Sequence, residues 1–181
     1  MKALIIVTAT QKATEVQARM REIFDAHSGD VWRTARFLGV RESDLADVSQ
    51  EVFLTVHRRL PSFEGRSSLR TWIHGIVIRV VSAYRRRAHR RHEVVTSQLP
   101  DEAVDPEQEQ RLISQERAGR LEEAVARLDD KQRLVFVLYE LQELAMKDVA
   151  TSLEIPLQTA YSRLKAAHRS IRDTFERVSD G

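Results

Sequence analysis

Cysteine is absent from this 181-residue chain, which excludes both a disulfide framework and a thiolate metal site and is compatible with a reducing compartment. Aromatic residues are scarce at 6%, while a hydrophobic share of 42% is enough for small helical cores. No apolar run is long enough for a membrane span. The longest, Ala3 to Ala9 behind Lys2, falls short of a signal peptide as well, so the expectation is a soluble, cytoplasmic protein without membrane insertion. Catalytic signatures are also missing: there is no Walker loop, paired-carboxylate site or zinc signature. His89 and His92 are flanked by arginines with no carboxylate near in sequence, and Ser67-Ser68 has no evident base. The sequence therefore predicts a binding protein rather than an enzyme, with no catalytic residue, no metal and no cofactor.

Acidic residues are missing from one long stretch. Between Arg66 and His92 lie eight arginines (66, 70, 79, 85, 86, 87, 90 and 91), with Trp72, His74 and Tyr84 interleaved and no aspartate or glutamate. A block of one sign is often a solvated face, but arginines mixed with aromatics also match the needs of single-stranded nucleic acid, whose phosphates take the charge while its bases stack on rings. The whole chain carries a formal charge of only +2 at a pI of about 9.1. Its basicity is thus segregated, which is the electrostatic footprint of a nucleic-acid partner.

Just upstream, the helical period places Leu45, Val48, Val52, Val56 and Leu60 on one stripe, expected to face a core. The opposite stripe carries Asp47, Gln50, Glu51, Leu54 and Arg58. A leucine ringed by charges is either a stray exposed residue or the apolar centre of a docking surface with a polar rim. After the turn Pro61 to Gly65, the residues Leu69, Trp72, Ile73, Ile76, Val80, Ala83 and Tyr84 fall on one helical stripe. That length outweighs the β propensity of the run Ile76 to Val81, and Ile78 is expected on the outer face. Ser43 and Ser67 or Ser68 are candidate N-caps.

Elsewhere the reading is coarser. Residues 1–17 are expected to be a flexible extension, and Met20, Ile23, Phe24, Val31, Ala35 and Leu38 give a helical rhythm broken at Ser28 and Gly29, so two short helices or one bent helix are expected. Residues 93–105 are polar and acidic without a hydrophobic period and read as a linker, or as a surface loop within one domain. As a linker it reaches about 45 Å when extended, ahead of a helix start at Asp105-Pro106-Glu107. In the second half, Leu112, Leu121, Ala124, Val125 and Leu128 share one pattern and Asp129-Asp130 begins the next. MKDVATSL, a turn at Glu154-Ile155-Pro156 and a helix from about Leu157 to Arg177 follow at helix-turn-helix spacing. On that last helix Ala160, Leu164, Ala167, Ile171 and Phe175 form the expected buried stripe, and Gln158, Ser162, Lys165, Ala166 and Arg169 the outer one. A plain three-helix core has the same pattern.

DVSQEVFL (Asp47 to Leu54), followed by PSFEGRSSLRTWIHGI and the arginine run, resembles the second conserved region of bacterial RNA polymerase sigma factors of the extracytoplasmic-function group. IPLQTAYSRLKAAHR resembles the recognition helix of their fourth region. Together the two cover most of residues 20 to 175. The resemblance implies an all-α fold of two small helical domains, 18–92 and 106–181, joined by a flexible linker. It implies contacts to the clamp helices of the polymerase core by Asp47, Gln50, Glu51, Leu54 and Arg58. It further implies contacts to the melted −10 region of promoter DNA by Phe63, Arg66, Ser67, Arg70, Trp72, His74, Arg79, Arg85 and Arg86, and to the −35 element by Gln158, Thr159, Ser162, Arg163, Lys165 and Arg169. An anti-sigma factor is a further partner common in the group. The chain departs from the family at Ile78, often polar or basic there, at Ala83, often aspartate, at Glu143, Glu154 and Gln158, commonly glycine, and at Tyr161, often basic. An ordinary helix-turn-helix regulator with a sensing or dimerising first half, and a protein adaptor built on the Asp47 to Arg58 face, are the rival readings.

Overall fold

The computed structural model describes the backbone of residues 2–90 and 119–179, with side chains over 16–89 and 119–176. Among the described residues the chain is helical, without strands. The order is α1 (Lys2–Phe37), a 3-10 turn Glu42–Asp44, α2 (Leu45–Arg59), a second 3-10 turn Leu60–Ser62 and α3 (Leu69–Arg90). After the undescribed stretch come α4, seen over 119–126, then α5 (Asp130–Phe136) continued by a π turn Val137–Leu141, α6 (Met146–Ser152) and α7 (Leu157–Ser179). The expected linker 93–105, the helix start at Asp105 and Leu112 lie outside the described residues.

Two expectations for the N-terminal part are corrected. Helix α1 is continuous, with no break at Ser28–Gly29, and residues 2–17, expected as an extension, belong to the same helix. A glycine inside a helix costs roughly 1 kcal/mol, which the burial of Ile23, Val31, Ala35 and Leu38 on either side outweighs. The helix ends instead at Gly39 (φ +86°), whose N–H donates to the Arg36 carbonyl at 2.9 Å while Val40 N–H donates to Ala35 at 3.1 Å. This is a Schellman stop, and it requires the left-handed conformation that glycine adopts freely.

Helices α1, α2 and α3 form a three-helix core. The stripe Leu45, Val48, Val52, Val56 and Leu60 is buried as its period predicts, and from α3 so are Ile73, Ile76, Val77 and Val80. Ser68 caps α3 by accepting from Thr71 N–H at 3.1 Å. Ser43 does not cap α2: Asp44 holds that position, and its carboxylate is engaged by Arg41 and Tyr84.

In the second half Asp129 caps α5, accepting from the N–H groups of Lys131 at 2.8 Å and Gln132 at 3.0 Å. The buried Arg133 guanidinium donates to the carbonyls of Val125 (3.0 Å), Leu128 (2.8 Å) and Ala126, so it closes the open end of α4. Helix α7 buries Ala160, Leu164 and Ala167, but Phe175 is 39% exposed, because the core ends near the half-buried Ile171. The apolar cluster runs without interruption from the first half into the second.

Candidate nucleic-acid and protein interface

The outer face of α2 is set by the same period that buries its inner face. Leu54 is 54% exposed, with Asp47, Gln50 and Arg58 exposed and Glu51 half-exposed around it. Arg58 Nε donates to the Leu54 carbonyl at 3.2 Å. The apolar centre is larger than one leucine, since the exposed Phe24 of α1 stacks on Phe53 with ring centroids 4.8 Å apart. Beside this face a shallow cleft is lined by Asp44, Asp47, Glu51, Tyr84 and Arg87. Tyr84 donates to Asp44 at 2.5 Å and Arg41 pairs with the same carboxylate at 2.8 Å. The Tyr84 hydrogen bond, with Arg41 and Ser43, holds the Asp44 carboxyl below the usual carboxylate range although its partial burial acts the other way.

The basic stretch is arranged along α3 and the loop before it. Arg66 is exposed and pairs with Glu64 at 2.5 Å. Trp72 is half-buried against Phe63, centroids 5.0 Å apart and tilted by 44°, with Ser67 in the same loop. Arg70 is held from behind by Asp30 of α1 at 3.1 Å, and Asp30 also takes Arg33 at 2.6 Å. Burial pushes the Asp30 carboxyl upward, but the hydrogen bonds from Arg33 and Arg70 bring it below its ordinary value. Arg79, Arg85 and Arg86 follow along the helix, Arg79 and Arg86 exposed and Arg85 half-buried.

His74 departs from expectation. It is 1% exposed, inside the three-helix core, with Nδ1 lacking a hydrogen-bond partner, so no DNA strand can touch it. Burial, then the Arg70 charge, pulls its pKa down to about 4, so the imidazole is neutral at pH 7. The acid-free stretch around it marked His74 as basic surface, but the helical period puts it between Ile73 and Val77, on the inner side. Ile78 is corrected as well: expected on the outside, it is 8% exposed, because α6 of the second half packs against α3.

Helix α7 presents Gln158, Ser162, Lys165 and Arg169 to solvent, with Thr159 and Arg163 half-exposed beside them. Its entry turn keeps a glycine-like geometry without glycine. Glu154 sits at φ +55°, with its N–H on the Thr151 carbonyl (3.2 Å) and Ile155 N–H on Ala150 (3.0 Å), the same Schellman stop seen at Gly39. Glu143, after the π turn, sits at φ +52°.

Comparison with known proteins follows this geometry. Residues 23–91 match the family described as Sigma-70 region 2 and residues 118–171 match Sigma-70, region 4. The ECF RNA polymerase sigma factor SigC of Mycobacterium tuberculosis is 30% identical over 161 residues, covering 88% of this chain and 85% of that protein. The chain belongs to the extracytoplasmic-function group of RNA polymerase sigma factors. SigW of Bacillus subtilis is 24% identical over 169 residues, covering 86% of this chain and 88% of SigW, and SigE of Mycolicibacterium smegmatis is 28% identical over 174, covering 92% of this chain and 66% of SigE. Two solved structures share the fold at 19% identity. CnrH in complex with the cytosolic domain of CnrY has a TM-score of 0.70, covering 94% of this chain and 96% of that one. RpoE of Bartonella quintana in complex with the anti-sigma factor NepR has a TM-score of 0.67, covering 86% and 96%.

As a sigma factor the protein serves transcription initiation, and both DNA-binding regions occur in the order the sequence predicts. Among the described residues no helix is long and apolar enough to cross a membrane. Sequence reasoning missed Asp30, the brace behind Arg70, and Arg87, which reaches back to Glu51 on α2 at 3.1 Å. The signal for Asp30 was present: it is an acid bordering the apolar stripe Val31, Ala35 and Leu38, where a buried-side partner is needed.

Proposed function

We propose that this sigma factor docks on the clamp helices of core polymerase through the outer face of α2, holds the melted −10 strand on the loop and α3, and reads the −35 element with α7. One observation carries the reading: an exposed leucine at the middle of an otherwise polar helix face, Leu54 at 54%, next to a helix that carries the arginines. A small apolar centre inside a polar rim is how protein interfaces are built. The residues in these roles are Asp47, Gln50, Glu51, Leu54 and Arg58 for polymerase. Phe63, Arg66, Ser67, Arg70, Trp72, Arg79, Arg85 and Arg86 face the strand. Gln158, Thr159, Ser162, Arg163, Lys165 and Arg169 face the duplex.

The chain acts by binding and not as an enzyme, in the cytoplasm where its polymerase works. Melting one base-pair step costs about 1.4 kcal/mol of stacking, and capture of an unstacked base on an aromatic ring returns about 1–3 kcal/mol. The two are close in size, so opening depends on polymerase to place the strand. An anti-sigma factor belongs among the partners, a reading supported by the two proteins of this fold that are held in complexes of that type.

The test is affinity for core polymerase. Leu54→Arg should weaken it by about thirtyfold or more, the loss expected when a central interface residue is removed, and Gln50→Ala by less, with helical content unchanged. Wild-type binding by both variants would overturn the assignment of this face. On duplex carrying a −35 element, Lys165→Ala and Arg169→Ala should each lower the slope of log affinity against log salt by about 1.

A further inference from the structure

The two halves of the chain meet along α3. Ile78 lies in one apolar cluster with Met146, Val149 and Ala150 of α6. Around that seam, acids of the second half meet arginines of the first: Glu154 pairs with Arg79 at 3.1 Å, Asp130 with Arg85 at 2.6 Å and Glu122 with Arg36 at 3.0 Å. On the same side, a Cβ on Gly39 would stand 3.5 Å from Nη1 of Arg133, so the α1–α2 turn is also in contact with the second half.

We propose that the free sigma factor occludes its own strand-binding helix: the second half closes over α3, and the Glu154 and Asp130 carboxylates occupy the guanidinium groups of Arg79 and Arg85 until a DNA strand displaces them. A carboxylate and a phosphate oxygen satisfy a guanidinium in the same way, so strand and acid compete for the same donors. Two of this chain's departures from its family pattern meet at this seam. Ile78 supplies the apolar contact in place of a polar residue, and Glu154 supplies a carboxylate where glycine is common, although a left-handed conformation disfavours it. The ion pairs are partly exposed and therefore screened by salt, and few apolar side chains are shared, so closure is reversible. The masking of DNA contacts rests on the role proposed above for α3, whereas closure itself does not.

Because the chain has no cysteine, the full-length protein labelled at Glu22→Cys and Glu176→Cys reports closure by energy transfer, one exposed site in each half. Transfer should be high at low salt. It should fall toward about 1 M salt, where the screening length is about 3 Å, and fall at low salt in the Glu154→Gln/Asp130→Asn variant. The unlabelled variant should bind a mixed-sequence single strand of about 15 nucleotides about three- to tenfold more tightly than wild type, the gain expected from releasing two exposed pairs. Asp25→Asn/Glu123→Gln is the control, with the same change in net charge away from the seam. Transfer indifferent to both salt and the seam variant would show a fixed domain interface and overturn the proposal. Transfer that falls while strand affinity matches the control would overturn the masking. Strand affinity absent from every protein even in the polymerase complex would instead mark failure of the role given to α3.

Discussion

At the scale of single residues, the most informative positions are those that hold a conformation or a charge state their chemistry resists. Glu143 occupies a left-handed backbone at φ +52°, a conformation that costs a side-chain-bearing residue roughly 1–2 kcal/mol and glycine almost nothing. Glycine gives back part of that through its greater freedom when unfolded. Glu143→Gly should therefore stabilise the protein by about 1 kcal/mol, raising its melting temperature by about 2–4 °C, and an unchanged or lower value in a thermal melt would contradict the strain. His74 makes the opposite kind of demand. Its pKa is about 4 in the folded protein against about 6.5 in the unfolded chain, so between those values the unfolded state binds more protons. Its contribution is fully present above about pH 6.5 and is lost as pH falls toward 4, a change on the order of 3 kcal/mol. Chemical denaturation across that window should show a shallower pH dependence for His74→Leu than for wild type. Equal slopes would mean that the imidazole is solvated.

At the scale of elements, the helix starts can be tested directly. Asp129 satisfies two N–H groups at the head of α5, and Asp129→Ala should cost about 1 kcal/mol, measured as a shift of the denaturation midpoint without a change of slope. Asp129 was legible because a charged pair breaks two apolar periods there, and so were α2, α3 and α7, whose buried stripes carry their own 3.6-residue rhythm. Leu54 was legible for the same reason: once Val48, Val52 and Val56 are assigned to the inside, the helix geometry leaves it outside. The length of α1 was not. Ser28 and Gly29 look like a stop by local preference, and only packing against α2 and α3, a tertiary effect, carries the helix through them. Ser43 failed as a cap because Asp44, one residue on, has stronger partners in Arg41 and Tyr84, and Tyr84 lies 40 residues away in sequence. His74 and Ile78 failed in different ways. The histidine was judged by the charges of its neighbours rather than by its own helical phase, whereas the phase of Ile78 was read correctly and the burial comes from a helix of the other half.

At the scale of the whole molecule, Ile78 decides whether the chain behaves as one cooperative unit or two. Each half has its own capped helices and its own buried stripe, so each is able to hold a fold. What joins them is the seam on α3, where Ile78 shares a cluster with α6, together with ion pairs that salt weakens. If the seam couples the halves, unfolding at low salt is one transition with equal calorimetric and van't Hoff enthalpies. A charge at that point should uncouple them, because a buried cation without a partner is more costly than parting two small surfaces. Ile78→Lys is therefore expected to split the calorimetric transition into two, or to drop the van't Hoff enthalpy well below the calorimetric one, and high salt should move wild type in the same direction. A single transition at a lower temperature would mean that Ile78 is an ordinary core residue of the first half. Uncoupling is also the state that promoter binding demands, since α7 must reach a duplex element while α3 holds a strand beyond it. The free energy that holds the halves together is subtracted from DNA affinity, and a weak, salt-sensitive seam keeps that cost small enough for polymerase and promoter to overcome.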